Sequence, residues 1–268
     1  MHPRQLLERY GISPKKSLGQ NFLFDEGLLG RIVAEAGLSP FDEVLEIGPG
    51  LGALTRQLAM SAGRVVAVEL DDRLLPVLNH ELEPFSNVEL IHGDILAFDP
   101  AEHFEGSYVV VANVPYYITG AILRHLLEAR RRPRRMVLTV QREVAERLTA
   151  SPPNMSLLSV SVQYHGSVRV VGTVKAGAFW PRPEVDSAIV RLDVAQATRK
   201  PEEEAAFFRV VRAGFSEKRK QLKNNLRRLE PGDEATAAAL ESAGIDGRRR
   251  AETLAVEEWE RLRIALSQ

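Results

Sequence analysis

Between residues 43 and 140, apolar and polar positions follow two patterns in turn, one typical of strands and one typical of helices. Short runs rich in β-branched residues predict strands: EVLEI (43–47), RVVAVEL (64–70), NVELIHGD (87–94), SYVVVAN (107–113) and MVLTV (136–140). Apolar residues recur at helical spacing after four of these runs, in ALTRQLAMSAG, DDRLLPVLNHELE, ITGAILRHLLEARR and QREVAERLTA. This strand–helix alternation predicts an α/β fold, with a mostly parallel sheet covered by helices on both faces.

The pattern changes after Ser151-Pro152-Pro153-Asn154. LLSVSVQYHG alternates like a strand but has the length of a helix, so periodicity leaves its structure open. VRVVGTVKA (168–176) and SAIVRLDV (187–194) both read as strands. They flank AFWPRPEVD, where two prolines prevent regular pairing. We therefore expect the sheet to end in additional antiparallel strands.

A polar, proline-containing break at 195–204 is the best candidate for a domain boundary. Four helix-like stretches follow it: EAAFFRVVRAGF, KQLKNNLRRL, EATAAALESAG and VEEWERLRIAL. We predict a larger domain over 1–195, which begins with a helix–loop–helix segment at 1–37, and a helical domain over 196–268.

Composition is that of an ordinary globular protein, with 44% hydrophobic and 26% charged residues in a chain of 268. No apolar run is long enough to span a bilayer, and the first residues lack the apolar core of a secretory signal. The chain has no cysteine, which excludes disulfides and thiolate metal sites, and its six histidines are scattered. From the lack of cysteine we expect a cytoplasmic protein, and from the scattered histidines one without a metal site. We also expect a monomer, because the sequence has no stripe of apolar residues that would pack against a partner subunit.

Charge is unevenly distributed although the formal net charge is −1. The segment FSEKRKQLKNNLRR, from Phe215 to Arg228, holds six basic residues against one Glu, and RRRPRR at 130–135 holds five arginines. Acidic residues concentrate elsewhere, as in PEEE at 201–204. The basic segments permit a polyanionic partner, but a solvated helix end has the same composition.

A glycine-rich turn follows the first strand of the alternating region. Gly48, Gly50 and Gly52 allow the backbone to turn tightly and to approach a ligand. Their spacing is G-x-G-x-G, led by Glu46, and differs from the G-x-G-x-x-G of dinucleotide-binding proteins. No Lys-Ser/Thr pair follows, which excludes a nucleoside-triphosphate loop.

Polar residues also end the next three strands, at the edge where open α/β sheets bind ligands. Glu69 lies 21 positions beyond Gly48, where a carboxylate accepts hydrogen bonds from ribose hydroxyls. Asp94 ends the third strand, where it can face an adenine amine, and Asn113 ends the fourth. A single acidic strand end is more often a helix cap, as Asp71 or Asp94 can be. Taken together, the four strand ends suit an adenosine without phosphates, which favours S-adenosylmethionine and leaves a dinucleotide as the alternative.

Six segments carry a resemblance to a known family: KKSLGQNFL, LEIGPGLGALT, VVAVELD, HGDIL, VVANVPYYI and AFWPRPEVDSAIVRL. Together they resemble the KsgA-type ribosomal RNA adenine N6,N6-dimethyltransferases, which are relatives of the Erm methyltransferases. The resemblance runs from about Lys15 to Leu229. It implies a Rossmann-like class I methyltransferase fold and S-adenosylmethionine as cofactor. The implied substrate is two adjacent adenosines near the 3′ end of small-subunit rRNA, and the implied role is in ribosome biogenesis.

The chemistry of that reaction explains the residues NVPY at 113–116. The adenine amine is a poor nucleophile because its lone pair is delocalised into the ring. The Asn113 side-chain oxygen and the Val114 carbonyl can accept hydrogen bonds from its two N–H groups and so make the lone pair available. Pro115 keeps Val114 out of helical geometry, and Tyr116 offers a face for base stacking.

Further site residues follow from the resemblance alone. It implies that Phe179 closes the other face of the target base and that Asn21 and Leu23 contact the cofactor, with Gln20 beside them. We assign His92 and Tyr117 structural roles. Val114 stands where the family usually has Leu or Ile, and only its backbone is required.

RNA binding is predicted for a helix in the basic segment. Its residues Lys218, Arg219, Lys220, Lys223 and Arg227 can cover several phosphates. The arginines at 130–135 either contact RNA as well or cap a helix.

Three alternatives compete with this interpretation. An Erm-type enzyme acting on large-subunit rRNA would share nearly every motif, and a non-catalytic RNA-binding assembly factor would share the fold. A nicotinamide dehydrogenase is disfavoured by the glycine spacing.

Overall fold

The computed structural model describes residues 2–195, 200–227, 229 and 232–267. Its strands are β1 Phe22–Leu23, β2 Glu43–Ile47, β3 Arg64–Glu69, β4 Val88–His92, β5 Tyr108–Asn113, β6 Arg135–Gln141, β7 Gly166–Val174, β8 Phe179–Trp180 and β9 Ser187–Val194. Its helices are α1 Pro3–Arg9, α2 Glu26–Ala36, α3 Ala53–Ala59, α4 Leu75–Leu82, α5 Pro100–His103, α6 Thr119–Glu128, α7 Arg142–Leu148, α8 Leu157–His165, α9 Pro201–Gly214, α10 Leu222–Leu226, α11 Asp233–Ser242 and α12 Val256–Ala265. None of these helices is long and apolar enough to cross a membrane.

Seven strands form the main sheet in the order β4-β3-β2-β5-β6-β9-β7. The five strands from β4 to β6 are parallel, and β9 runs antiparallel to β6. The predicted α/β fold with a mostly parallel sheet is therefore confirmed, including the antiparallel addition. The strand order reverses between β2 and β5, so the crevice at their carboxyl ends is the expected place for a ligand.

The central strands read as continuous apolar runs because helices bury both faces of the sheet. Val44 of β2, Val66 of β3 and Val110 of β5 are all fully buried. The sheet, the helices packed on it and the N-terminal segment form one compact unit, made of residues 1–145 and 167–194. A small second sheet in this unit pairs β1 with β8, with Leu23 opposite Phe179.

A second compact unit combines residues 146–166 with 195–268. Tyr164, Phe207 and Trp259 lie in its core. LLSVSVQYHG supplies α8, because Ser156 caps the helix and accepts a hydrogen bond from the backbone of Ser159. The helical unit thus takes a segment that the predicted boundary assigned to the larger domain. Residues 196–199 of the predicted break lie outside the described residues.

The basic segment differs from the single helix expected there. Helix α9 ends at Gly214, the chain turns, and α10 begins only at Leu222. The buried Asn225 side chain causes this turn, since it donates hydrogen bonds to the carbonyls of Gly214 (2.5 Å) and Glu217 (3.1 Å). Gly214 itself is required because a Cβ there would lie 2.3 Å from the Trp259 ring.

The five predicted RNA-binding residues consequently occupy a turn and the end of a short helix. All are exposed: Lys218, Arg219 and Lys220 in the turn, Lys223 in α10, and Arg227 directly after it. Lys220 pairs with Glu217 at 2.8 Å and Arg227 with Asp233 at 3.3 Å. Arg228, the last residue of the basic segment, lies outside the described residues.

Candidate active site

A cavity of about 500 Å³ opens at the carboxyl edge of the parallel strands. All six residues predicted to bind the cofactor line it: Asn21, Leu23, Gly48, Glu69, Asp94 and Asn113. These residues come from the N-terminal segment and from the ends of β2, β3, β4 and β5. A cavity of this size accommodates a ligand of adenosine-like dimensions.

The glycine turn forms one side of the cavity. Gly48, Gly50 and Gly52 have φ angles of 64°, 60° and 78°, which favour glycine. A Cβ at Gly50 would also lie 3.0 Å from the Phe22 ring, whereas the space beside Gly48 is open. The backbone at Gly48 is therefore accessible to a ligand that a side chain would obstruct.

Glu69 is held at the end of β3 by the backbone around it. Its Oε2 accepts a hydrogen bond from the Gly50 amide (3.1 Å), and its Oε1 accepts one from the Asp71 amide (2.8 Å). Burial raises the pKa of Glu69, and the two amides oppose that rise. Each carboxylate oxygen has a further lone pair, so the fixed carboxylate can still accept hydrogen bonds from ribose hydroxyls.

Asp71 connects the sheet to the N-terminal segment. Its buried carboxylate accepts a hydrogen bond from Gln20 Nε2 (2.7 Å), and Gln20 Oε1 accepts one from the Lys15 amide (2.7 Å). The Arg73 guanidinium beside it lowers the pKa of Asp71 to about 2. Gln20 therefore lies on the cavity wall with its amide engaged in positioning this segment.

Asp94 stabilises a turn and also faces the cavity; the helix cap that the sequence suggested as its alternative role is replaced by this turn. Its Oδ1 accepts a hydrogen bond from the Leu96 amide (2.9 Å), which fixes the turn after β4. The side chain is exposed at the cavity wall, where an adenine amine can be recognised.

The Asn113 side chain is arranged so that its oxygen can accept a hydrogen bond from an amine. Its Nδ2 donates a hydrogen bond to the Asn21 carbonyl at 2.9 Å, which fixes the orientation of the amide. Its Oδ1 is buried and has no hydrogen-bond partner among the described residues. Because an unsatisfied buried acceptor is costly, this oxygen is suited to a donor that a ligand brings. Val114 is buried beside it, and Pro115 lines the cavity with a φ of −59°.

The two tyrosines that follow have different surroundings. Tyr116 is half-buried, burial raises its pKa, and its hydroxyl lies 2.6 Å from Ser187 Oγ. Tyr117, for which we predicted a structural role, is 58% exposed and lines the cavity. Ser187 was not predicted, and the only signal for it was its place in the motif that also contains Phe179.

Three predicted site residues, Val114, Tyr116 and Phe179, are not among the residues that line the cavity. For Phe179 the reason is burial. It is 3% exposed and packs in a core cluster with Leu29, Val111 and Ile189. Stacking of Phe179 on a base stays a prediction, and it requires the ring to gain exposure when the base enters.

Glu46 is a further site residue that sequence analysis noted only as the start of the glycine motif. Its side chain lies on the cavity wall, 1% exposed, and its Oε2 has no hydrogen-bond partner within the described part of the chain. Burial raises the pKa of Glu46 to about 8, and the nearby charge of Glu69 adds to the effect. An acidic residue inside the apolar strand EVLEI was the available signal.

The arginines at 130–135 lie away from this cavity, at the amino end of β6. Arg134 donates a hydrogen bond to Asp42 (2.7 Å) and Arg135 donates one to Asp193 (2.6 Å). These contacts favour a structural role for this segment. Within the described ranges, no three His, Asp or Glu side chains are grouped so that they could hold a metal ion.

Proteins of known family resemble this chain over almost its whole length. A family model for ribosomal RNA adenine dimethylases matches residues 11–268. Ribosomal RNA small subunit methyltransferase A of Dehalococcoides mccartyi is 46% identical, over 97% of this chain and 90% of that protein. The protein of the same name from a Geobacillus species is also 46% identical, over 98% of this chain and 95% of its own length.

Solved structures agree with this assignment. The 23S rRNA methyltransferase ErmE superimposes with a TM-score of 0.75 at 32% identity, over 92% of this chain and all of that one. A dimethyladenosine transferase from Plasmodium falciparum has a TM-score of 0.79 at 27% identity, over 90% of this chain and 95% of its own. The predicted resemblance and enzyme class are confirmed. The match of the family model and the identity to these relatives over nearly the whole length show that the chain belongs to the ribosomal RNA adenine dimethylase family.

Proposed function

We propose that the protein uses S-adenosylmethionine to dimethylate N6 of two adjacent adenosines near the 3′ end of small-subunit rRNA, during ribosome biogenesis. The observation that carries this proposal is the Asn113 side chain. Its Oδ1 is buried, oriented and without a partner among the described residues, on the wall of an adenosine-sized cavity.

The cavity residues fit the cofactor. Glu69 would bind the ribose hydroxyls, Asp94 the adenine amine, and the open backbone at Gly48 would allow close approach. Asn21, Leu23 and Asn113 would contact the rest of the cofactor from the other wall. When bound, the cofactor supplies an electrophilic methyl group on a sulfonium.

Residues 113–117, which we call the acceptor loop, would prepare the target amine for methyl transfer. Asn113 Oδ1 and the Val114 carbonyl would accept hydrogen bonds from its two N–H groups, which would localise the nitrogen lone pair towards the methyl group that the bound cofactor would supply. One amine proton would be released to solvent as the new nitrogen–carbon bond replaces the sulfur–carbon bond. Pro115 maintains the loop geometry, while Tyr116, and Phe179 once uncovered, stack on the base. Positioning supplies most of the rate enhancement in such a reaction.

The helical unit supports a nucleic-acid partner. Its five exposed basic residues at 218–227 would contact phosphates of the small-subunit rRNA or of the immature subunit. Phosphate contacts position an RNA, while the pocket selects the base. We propose that the protein acts as a cytoplasmic monomer.

Sequence similarity favours the small-subunit substrate over the large-subunit alternative. The relatives named for the small subunit are 46% identical to this chain, whereas the 23S rRNA enzyme ErmE is 32% identical. The intact acceptor loop also disfavours a factor that only binds RNA.

Mapping the modified nucleotides tests this function directly. Unmodified small- and large-subunit rRNAs, free and in immature subunits, would be incubated with the protein and labelled S-adenosylmethionine. We expect N6,N6-dimethyladenosine at two adjacent positions near the small-subunit 3′ end, found by mass spectrometry of RNA fragments. Modification of large-subunit rRNA would support the Erm-type alternative. Absence of dimethyladenosine on every RNA, with binding retained, would support the assembly factor.

A further inference from the structure

The second tyrosine of the acceptor loop carries an inference beyond the target pocket. We infer that Tyr117 is a stacking platform for the nucleobase next to the target adenine on the same RNA strand. In the proposed reaction that base is the other adenine of the pair. This inference rests on the proposed function and extends it from one base to two.

Exposure is the first observation. Tyr117 is 58% exposed although it lines the same cavity as Asn113 and Pro115. An open aromatic ring beside a binding cavity offers a face on which another flat ring can stack. Aromatic rings serve this purpose for nucleic acids because every base has a face on which they can stack.

The close approach of Gly19 to the Tyr117 ring is the second observation. A Cβ placed on Gly19 would lie 3.3 Å from Tyr117 Cδ1 and Cε1 and 3.5 Å from Pro115 Cβ. Gly19 also has a φ of 63°, which favours glycine. The N-terminal segment therefore approaches the ring closely through a residue without a side chain. The ring thus lies against Gly19, and much of its surface stays available.

The neighbouring tyrosine is engaged differently, which separates the two rings. Tyr116 is tied to Ser187 through its hydroxyl and is half-buried, whereas Tyr117 has an open ring surface. The two rings are carried by consecutive residues, whose Cα atoms lie about 3.8 Å apart, and we therefore assign a base on Tyr117 to the nucleotide next to the target.

Charge on the supporting segment favours RNA as the occupant. Lys15 and Lys16, both exposed, lie four and three residues before Gly19, and Lys15 Nζ also lies 3.8 Å from Asp71 Oδ1. Ammonium groups at this place suit the phosphates that flank a stacked base. A single-stranded nucleotide next to the target matches both the ring and these charges.

Fluorescence of 2-aminopurine tests the proposal at the level of single bases. The probe is a hairpin of the small-subunit 3′ end with 2-aminopurine at the target, or at the nucleotide on either side of it. With the full chain, we expect binding to quench 2-aminopurine at one adjacent position. Tyr117→Phe and Tyr117→Trp should preserve the quenching, and Tyr117→Ala should abolish it.

Kinetics give an independent readout. Loss of one stacked base is worth roughly 5- to 150-fold in affinity, so Tyr117→Ala should raise the KM for RNA within that range, with kcat less affected. Phe41→Ala is the matched control, because Phe41 is an aromatic residue that is 94% exposed and lies before β2, at the opposite edge of the sheet.

Two results would overturn the proposal. One is adjacent-base quenching that survives in Tyr117→Ala. The other is a KM for RNA that changes no more than in Phe41→Ala. Because quenching needs no methyl transfer, it is also measured in Asn113→Ala, where a failure of the proposed reaction would leave the stacking signal intact.

Discussion

The polar side chains at the two edges of the main sheet differ in how far their hydrogen bonds are satisfied within the protein. At the amino ends of the strands, Arg64 donates hydrogen bonds to Glu43 (2.7 Å) and Glu89 (2.6 Å), and Arg135 donates one to Asp193. At the carboxyl ends, Asn113 and Glu46 each keep a buried oxygen without a partner among the described residues. The paired charges at the amino ends hold the framework, whereas the two unpaired oxygens at the carboxyl ends belong to residues on the cavity wall, where a ligand can reach them.

Asn113→Ala gives the largest expected effect at the carboxyl edge. Removing one preorganised group that stabilises a transition state typically lowers kcat by about 10²- to 10³-fold, and we expect the same for this acceptor. Single-turnover methylation measures the loss, and titration should show that much of the cofactor affinity is retained. Asn79→Ala, at an exposed position of α4, is the control. Unreduced methylation by Asn113→Ala would contradict the assigned role.

Glu69→Gln should weaken cofactor binding by about 10- to 100-fold, because hydrogen bonds to a charged group contribute about 1.5–3 kcal/mol. Calorimetric titration with S-adenosylmethionine measures this change. Glu83→Gln removes an exposed carboxylate after α4 and should leave the affinity unchanged. An unaltered dissociation constant in Glu69→Gln would remove the ribose assignment.

Glu46 should make the stability of the cofactor-free protein depend on pH. Its pKa rises from 4.5 to about 8 on folding, so the folded state binds a proton that the unfolded state has lost. The stability it confers is present at low pH and is lost as the pH rises towards 8. We expect denaturation to show a loss of about 2 kcal/mol between about pH 6 and pH 8, which Glu46→Gln should abolish. Parallel pH profiles for the two proteins would contradict this.

We expect the Tyr116–Ser187 hydrogen bond to make Ser187 a positioning residue for the ring that we propose stacks on the target base. A neutral hydrogen bond contributes about 1 kcal/mol, so Tyr116→Phe and Ser187→Ala should each lower kcat by about 5-fold. The double variant should lose no more than either single one, while cofactor affinity stays constant. Tyr10→Phe, on α1's C-terminal end, controls for loss of a hydroxyl. Additive losses would show that the two hydroxyls act separately.

Arg64→Ala tests the opposite edge and should leave catalysis unaffected. We expect the free energy of unfolding to fall by about 1–2 kcal/mol, since the half-buried Glu43 and the exposed Glu89 both lose their partner. Urea denaturation measures the loss, and kcat per folded molecule should equal that of the native protein. A selective fall in kcat would break the distinction between the two edges.

The sequence predicted the parallel sheet and the cofactor side of the site because both depend on local patterns. Apolar runs end in Glu69, Asp94 and Asn113, and the carboxyl ends of parallel strands meet at one edge. The structure of LLSVSVQYHG was left open because its alternation and its length point in different directions, and a cap at Ser156 decides it.

Other features depend on contacts between distant residues, which no local pattern encodes. The basic segment was predicted as one helix, but the buried amide of Asn225 turns the chain before α10. The partners of Tyr116 and Tyr117 are Ser187 and Gly19, far away in sequence. Local analysis therefore assigned Tyr117 a structural role, and only the structure shows its ring exposed beside the cavity.

The hydrogen bond from Asn113 to the Asn21 carbonyl has a consequence for folding. It joins residues 92 positions apart, and contacts between distant residues carry a high loop-closure cost. A chain that has assembled β2–β6 without docking its N-terminal segment would hold the acceptor amide free to rotate. Gain of methyl transfer should therefore lag behind gain of sheet structure during refolding, so that activity reports the docking of the first two dozen residues.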